Sequence, residues 1–165
     1  MFKNYKDISM PEQTDKLEEL LNILADIYEN RLPFNQVLGL HIICLKTDLV
    51  KVTFDMTDSL IGNYIQSSLH GGVISSALDA VGGLMATAGI IQKKMDRPKE
   101  EIAQIVAKVG TIDLRVDYLR PGKGISFTSS ASIMRIGNKV AVTRMELHND
   151  QGRLIAVGTG TYLIV

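Results

Sequence analysis

The feature that most constrains this chain is a run of small and apolar residues from Gly71 to Ile91 that carries one charge, Asp79. At 3.6 residues per turn, one side of this segment is a continuous apolar stripe. Its members are Ile74, Ala77, Leu78, Val81, Leu84, Met85 and Ala88. Apart from Asp79, the opposite side has only small residues: Gly72, Ser75, Ser76, Gly82, Gly83 and Ala86. A surface helix normally has long polar side chains there, so we expect protein to cover both sides.

The same run approaches the length of a membrane-spanning helix. It contains Asp79 together with Ser, Thr and Gly residues, and no interfacial anchors flank it, so we expect no membrane span. The N-terminus, MFKNYKDISMPEQ, has no apolar core of a signal peptide, which argues against secretion.

The bulk composition narrows the class of protein. The 165 residues suit one domain, and 18 basic residues balance 18 acidic ones. This balance argues against a nucleic-acid partner. The single Cys44 lies in an apolar stretch that predicts a buried strand and excludes disulfides within the chain, and the three His are too scattered for a metal site. We therefore expect a cytoplasmic protein without a metal site.

The residues before the central run predict a helix and a hairpin. Ser9 to Glu12 resembles a capping box that opens a helix, and Arg31 to Pro33 ends it. We favour a helix packed on the flank of the domain over a lid or a partner-binding helix. A short helical turn over Phe34 to Leu38, strands over 40–47 and 49–56, and a loop over 58–69 follow.

The residues after the central run predict mostly strands. A short helix over 99–108 comes first, and from Thr111 the apolar period changes from 3.6 to 2. The inward residues of this strand are expected to be Ile112, Leu114, Val116 and Tyr118. Further strands are predicted over 125–135, 140–148 and 154–165, with turns between them. The pattern predicts an α+β fold, an antiparallel sheet wrapped around one long helix.

Two groups on the central helix suit acyl-transfer chemistry. Gly71 and Gly72 at its start leave unpaired backbone N–H groups that can bind an oxyanion. Asp79 offers a carboxylate that can act as a base or a nucleophile. The alternative is an Asp79 that hydrogen-bonds nearby groups and stabilises an interface. We favour catalysis, because Gly82 and Gly83 would leave an empty slot beside the carboxylate.

Helix geometry separates these two groups within one chain. Eight residues at a rise of ~1.5 Å place Gly71 about 12 Å from Asp79, too far to share one carbonyl. Two antiparallel copies of the helix could bring Gly71 of one chain to Asp79 of the other. The sequence therefore predicts a homodimer with two shared sites and an inactive monomer.

The stretch GNYIQSSLHGGVISSALDAVGG, with TIDLRVDYLRPG later, resembles the hotdog-fold acyl-CoA thioesterases of the phenylacetate-pathway type, and most of all their YigI-like branch. The resemblance covers residues 32–165 as a hotdog thioesterase domain, with residues 1–31 as an N-terminal helical extension. It implies five or six strands around one helix, dimers often paired into tetramers, and no metal or cofactor.

Carried onto this chain, the resemblance implies roles for four residues. Asp79 would activate water or attack the thioester, the partner's Gly71 amide would bind the carbonyl oxygen, and His70 would orient the loop or the thioester. The family often has an Asn six residues before the His; Tyr64 stands there, and Asn63, one residue earlier, would reach the water or Asp79 through a longer loop.

Substrate contacts are expected at several other positions. Thr87 lies near the position where many relatives have a Ser or Thr, and Gly72, Gly82 and Gly83 would line the site. CoA phosphates could meet Arg120, Arg135 and Lys139 near strand ends and turns, although ordinary solvated charges explain each one equally well.

Three functions are compatible with these residues. The leading one is hydrolysis of an acyl-CoA, with a fatty chain favoured over an aryl group because aromatic residues are 5% of the chain and Trp is absent. A non-catalytic acyl-CoA binder or sensor is the alternative. A hydratase or dehydratase on the same fold ranks last, because its motifs differ.

Overall fold

The computed structural model describes residues 10–164. Helix α1 (Met10–Asp26) continues into a π-helical turn, Ile27–Arg31, and Pro33 then begins helix α2 (Pro33–Leu38). Helix α2 ends at Gly39, whose φ of 66° is a left-handed conformation that glycine adopts without a Cβ clash. Ser9, the first residue of the expected capping box, lies outside the described residues.

Six antiparallel strands form the main sheet, as the sequence predicts. They are β1 (His41–Leu45), β2 (Val50–Asp55), β5 (Gly110–Tyr118), β6 (Ser126–Ile136), β7 (Val140–Asn149) and β8 (Leu154–Leu163). Their order across the sheet is β1-β2-β6-β7-β8-β5. Strands β1 and β5 are therefore its edges, and Cys44 on β1 is half-buried rather than buried.

The segment before the central helix is more regular than predicted. A 3₁₀ turn, Asp58–Leu60, leads into a small antiparallel pair made by β3 (Ile61–Asn63) and β4 (Ser68–Leu69). The prediction of a plain loop over 58–69 is wrong for these residues. The two strands are too short to produce a visible alternation of apolar and polar residues. Within residues 58–69, the buried residues are Leu60, Ser68 and Leu69.

Helix α3 (Gly71–Lys93) is the core of the protein and packs against strands β2, β5, β6, β7 and β8. All seven residues of its predicted apolar stripe are at most 3% exposed, which confirms that prediction. Among residues 10–164, α3 is also the one helix that is long and apolar enough to cross a membrane. Its most apolar window is 78% buried inside the protein, as expected of a core helix.

Helix α1 packs against the surface of α3, and helix α4 (Lys99–Val106) also contacts α3. Leu20 and Leu24 of α1 are buried in the same apolar core as the stripe of α3. Lys16 Nζ donates hydrogen bonds to the carbonyl oxygens of Met95 (3.0 Å) and Arg97 (2.6 Å), which ties α1 to the segment after α3. The N-terminal helix is thus an integral part of the core.

The small-residue face of α3 is only partly covered. Gly82, Gly83 and Ala86 are buried, whereas Ser75, Ser76 and Asp79 are half-buried and Gly72 is exposed. Within one chain, the first third of this face of α3 is therefore not covered, and its coverage by a second copy stays a prediction. This third leaves Asp79 accessible.

Edge strand β5 departs from the predicted alternation. Leu114 and Val116 pack on the core, but Ile112 is 56% and Tyr118 54% exposed. The prediction that Ile112 faces inward is wrong, whereas Tyr118 does face α3 at Gly71 and is half exposed there. The pairing with β8 shifts register between Thr111 and Asp113, and β5 pairs with no second strand on its outer side within the described chain.

Candidate active site

Asp79 lies about a third of the way along α3, at a cleft of about 200 Å³. Its Oδ1 accepts hydrogen bonds from Thr111 Oγ1 at 2.9 Å and from the Tyr162 hydroxyl at 3.3 Å. The same hydroxyl lies 3.2 Å from the Asp79 carbonyl oxygen. Oδ2 has no hydrogen-bond donor among residues 10–164. The carboxylate is therefore held through one oxygen, and the other is free to meet a substrate or water.

Two phenols surround this carboxylate. Burial and the neighbouring Asp79 charge raise the pKa of Tyr162 well above its usual range. Burial of the Tyr28 hydroxyl, with a smaller contribution from Asp79, raises its pKa to about 12. Both tyrosines therefore stay neutral at physiological pH and remain hydrogen-bond donors.

The two glycines after Asp79 make room for these phenols. A Cβ on Gly82 would lie 2.2 Å from the Tyr162 hydroxyl, and one on Gly83 would lie 3.3 Å from the Tyr28 hydroxyl. The expectation of an empty slot is therefore wrong, because tyrosine side chains fill it. Gly83 still lines the Asp79 cleft, whereas Gly82 lies behind it against Tyr162, Met145 and Thr143.

We expect Gly82→Ala to destabilise the fold by about 1–3 kcal/mol, because the new methyl group displaces the Tyr162 hydroxyl from its buried position. Urea unfolding measures the loss. Adding Tyr162→Phe removes the clashing atom, so the double variant should lose less than the sum of the two single variants. If the losses in unfolding free energy of the two single variants simply add in the double variant, Gly82 does not make room for the Tyr162 hydroxyl.

The N-terminus of α3 is capped by His70. The Gly72 amide donates to His70 Nδ1 at 2.9 Å, so the ring carries its proton on Nε2 when neutral. Gly62 allows this arrangement, since a Cβ there would lie 2.4 Å from His70 Cα. The Gly71 amide, in contrast, donates to no residue in the described chain. The Gly71 N–H is therefore the backbone donor at the N-terminus of α3 that remains available to a ligand.

Asn63 and Thr87 each make a hydrogen bond within their own segment of the chain. Asn63 is exposed on β3, and its Oδ1 accepts from the Gln66 amide at 3.1 Å within the same hairpin. Thr87 is 3% exposed, and its hydroxyl donates to the Gly83 carbonyl oxygen at 2.8 Å. Thr87 faces an apolar cavity beside the Asp79 cleft. A substrate role for either residue stays a prediction.

The three predicted CoA-binding residues do not cluster in one chain. Arg120 follows β5 near the start of α3, where the Tyr118 hydroxyl donates to the Gly71 carbonyl oxygen at 3.1 Å. Arg120 itself donates to the Leu154 carbonyl oxygen at 2.8 Å. Arg135 and Lys139 flank a turn that Lys93 binds, at the far end of α3 and about 21 Å along its axis from Asp79.

Within residues 10–164, His, Cys, Asp and Glu form no group of three that could hold a metal ion. The polar groups that the structure brings together at the cleft are the Asp79 carboxylate and the hydroxyl groups of Thr111 and Tyr162.

The sequence interpretation missed Thr111, Tyr162 and Tyr28. The alternation of β5 predicts Thr111 on the solvent side, because Ile112 and Leu114 are expected to face inward. Tyr162 and Tyr28 are distant from Asp79 in the chain, so no local pattern connects them with it. One usable indication was the sequence of β8, in which Gly158 and Gly160 precede Tyr162 with small residues on the same strand. Small residues of this kind leave space for a large neighbour, and a Cβ on Gly160 would lie 2.7 Å from the Tyr162 ring.

Residues 66–156, more than half of the chain, match the family model described as the thioesterase superfamily. The chain belongs to the thioesterase superfamily. It is 41% identical over 147 residues to the medium/long-chain acyl-CoA thioesterase YigI of Escherichia coli, which covers 89% of this chain and 95% of that protein. These matches confirm the predicted class of enzyme, a thioester hydrolase.

Solved structures of the thioesterase superfamily share the fold. A crystal structure from Shewanella oneidensis, described as related to this superfamily, has a TM-score of 0.88 and 48% identity and covers 95% of this chain and 100% of its own. The E. coli PaaI protein of the phenylacetic acid degradation operon has a TM-score of 0.67 at 20% identity, covering 95% and 96% of the two chains, and supports the fold alone. The predicted hotdog architecture is confirmed.

Proposed function

We propose that this protein hydrolyses medium- to long-chain fatty acyl-CoA thioesters to free acid and CoA, with Asp79 as base or nucleophile. The observation that carries the proposal is the Asp79 carboxylate, held through Oδ1 by two hydroxyl groups and free at Oδ2 beside a cleft. The substrate class follows the name of the YigI relative. The cytoplasmic location and a role in fatty acid metabolism remain predictions.

Two routes are chemically open to Asp79. As a base, it takes a proton from water while the oxygen of that water attacks the thioester carbon; the C–S bond then breaks, and the CoA thiolate takes up the proton. As a nucleophile, its Oδ2 attacks the carbon and expels the thiolate, and water then hydrolyses the mixed anhydride. Both routes pass through an oxyanion that needs a donor about 3 Å away.

The Gly71 amide is the donor that we assign to this oxyanion, and it must come from a second copy of the chain. Within one chain, Thr111 of β5 lies against Asp79, and Tyr118 of the same strand lies against Gly71. If two copies of β5 pair antiparallel, with residue 111 opposite residue 118, Asp79 of one chain approaches Gly71 of the other.

The free edge of β5 supports this pairing. The strand has no outer partner among residues 10–164, and Ile112, Tyr118 and Leu119 along it are 56%, 54% and 48% exposed. An exposed apolar edge of this length is a surface that proteins usually cover. We propose a homodimer built on β5 and α3, with two shared sites, and leave further pairing of dimers as a prediction.

Thiol release from acyl-CoAs of increasing chain length tests this function. We expect turnover that rises from butyryl-CoA to dodecanoyl-CoA and is poor with aryl-CoAs. Tight binding of acyl-CoA without thiol release would instead favour the non-catalytic binder. Hydration of an enoyl-CoA with the thioester left intact would favour the hydratase.

A further inference from the structure

An apolar cavity of about 370 Å³ lies between α1, α3 and α4. Apart from Tyr28 and Thr87 its lining is aliphatic, and it has no charged side chain; the residues that matter here are Leu20, Leu24, Thr87, Ile91, Ile102 and Ala103. Most of this lining belongs to α1, to the π-helical turn that continues it and to α4, which lie outside the sheet. The cavity therefore depends on the N-terminal helix.

The cavity adjoins the Asp79 cleft. Tyr28, Leu32 and Val109 line both spaces, so these three side chains form their common boundary. The Tyr28 hydroxyl lies next to Gly83 on the cleft side and within hydrogen-bonding reach of Thr87, which faces the cavity. A molecule that passes Tyr28 from the cavity reaches the vicinity of the Asp79 carboxylate.

Tyr28 is fixed in this position by contacts of its own segment. It belongs to the π-helical turn Ile27–Arg31, a geometry that often occurs at functional sites. The buried Asn35 side chain donates to the Tyr28 carbonyl oxygen at 3.0 Å, and the Ile42 amide donates to Glu29 Oε1 at 2.5 Å. These bonds hold the turn, and with it the tyrosine, at the junction of the two spaces.

We propose that this cavity binds the acyl chain of the substrate and that α1 and α4 set the chain length that the enzyme accepts. This inference rests on the proposed thioesterase function. A methylene group needs about as much room as a water molecule, whose share of liquid volume is about 30 Å³. A cavity of about 370 Å³ thus accommodates about a dozen chain carbons, with the thioester at Asp79 and the CoA outside.

The test fills the cavity without removing a buried side chain. Ala103 on α4 lines the cavity, and Ala103→Phe places a ring in the space of the chain. Gln104→Phe adds the same ring to the next residue of α4, which is exposed and does not line the cavity, and serves as the matched control. The kcat/KM for dodecanoyl-CoA and for butyryl-CoA is measured for both variants and the wild type.

The measured quantity is the ratio of kcat/KM for dodecanoyl-CoA to kcat/KM for butyryl-CoA. We expect Ala103→Phe to lower this ratio by tenfold or more, because each methylene group of the acyl chain that is no longer buried lowers kcat/KM about fourfold. Gln104→Phe should keep the wild-type ratio. Circular dichroism and the thermal midpoint verify folding, and Ala107→Leu, on the same wall, replaces Ala103→Phe if that variant does not fold.

An unchanged ratio in a folded Ala103→Phe variant, or an equal fall in Gln104→Phe, would overturn the acyl-chain assignment. Failure of the proposed function looks different, because the wild type would then release no thiol from any acyl-CoA.

Discussion

Asp79→Asn is expected to lower kcat for acyl-CoA hydrolysis by about 10²- to 10⁴-fold. The amide has the shape of the carboxylate and can still accept hydrogen bonds from Thr111 and Tyr162 through its oxygen. It can neither take a proton from water nor form an anhydride. The loss should therefore appear in kcat, with the fold and the binding of acyl-CoA retained.

Asp48→Asn is the matched control for this variant. Asp48 is exposed in the turn between β1 and β2, it does not line the cleft, and β1 is the sheet edge opposite β5, so the same change of charge there should leave kcat unaltered. Thiol release with saturating acyl-CoA measures both variants. Wild-type turnover by Asp79→Asn would leave the carboxylate with a structural role only.

Gly71→Pro is expected to lower kcat by about 10²- to 10³-fold, the cost of losing one oxyanion donor. Gly71 is the first residue of α3, where proline is well tolerated because its N–H has no partner within the helix. The preceding residue, His70, has φ −64° and ψ 139°, a conformation compatible with a following proline. The substitution thus removes the N–H and leaves the helix intact.

Gly71→Ala separates the loss of the N–H from the addition of side-chain atoms. A Cβ at this position would lie 3.6 Å from the Tyr118 ring, an ordinary contact, so the alanine variant should fold and retain most of its activity. If alanine and proline lower kcat equally, the lost activity comes from the added atoms and the amide is not the oxyanion donor.

The central helix could be predicted from the sequence because its constraints are local. The observed α3, Gly71–Lys93, contains the whole run from Gly71 to Ile91, for which an apolar stripe, a Gly-Gly start and the scarcity of charge predict a helix. The strands after it follow from their period of two and the turns between them. The distance between Asp79 and Gly71 also follows from helix geometry alone.

The surroundings of Asp79 could not be predicted in the same way, since they come from distant parts of the chain. Tyr162 is 83 residues from Asp79, and Tyr28 belongs to a π-helical turn that no local pattern indicated. Gly82 and Gly83 do leave space beside the helix, but tyrosine side chains fill the slot that was predicted to be empty. Which group fills that space depended on the packing of β8 and α1.

The most direct test of the shared site is a mixed dimer of the two inactive chains. Asp79→Asn and Gly71→Pro chains carrying different tags are co-expressed, and the mixed dimer is purified through both tags. If Asp79 works with the Gly71 of the other chain, one of the two sites contains both wild-type groups, and the mixed dimer should recover about half of wild-type kcat per dimer. If each site is completed within one chain, both sites remain defective, and the mixed dimer will be as inactive as its parents.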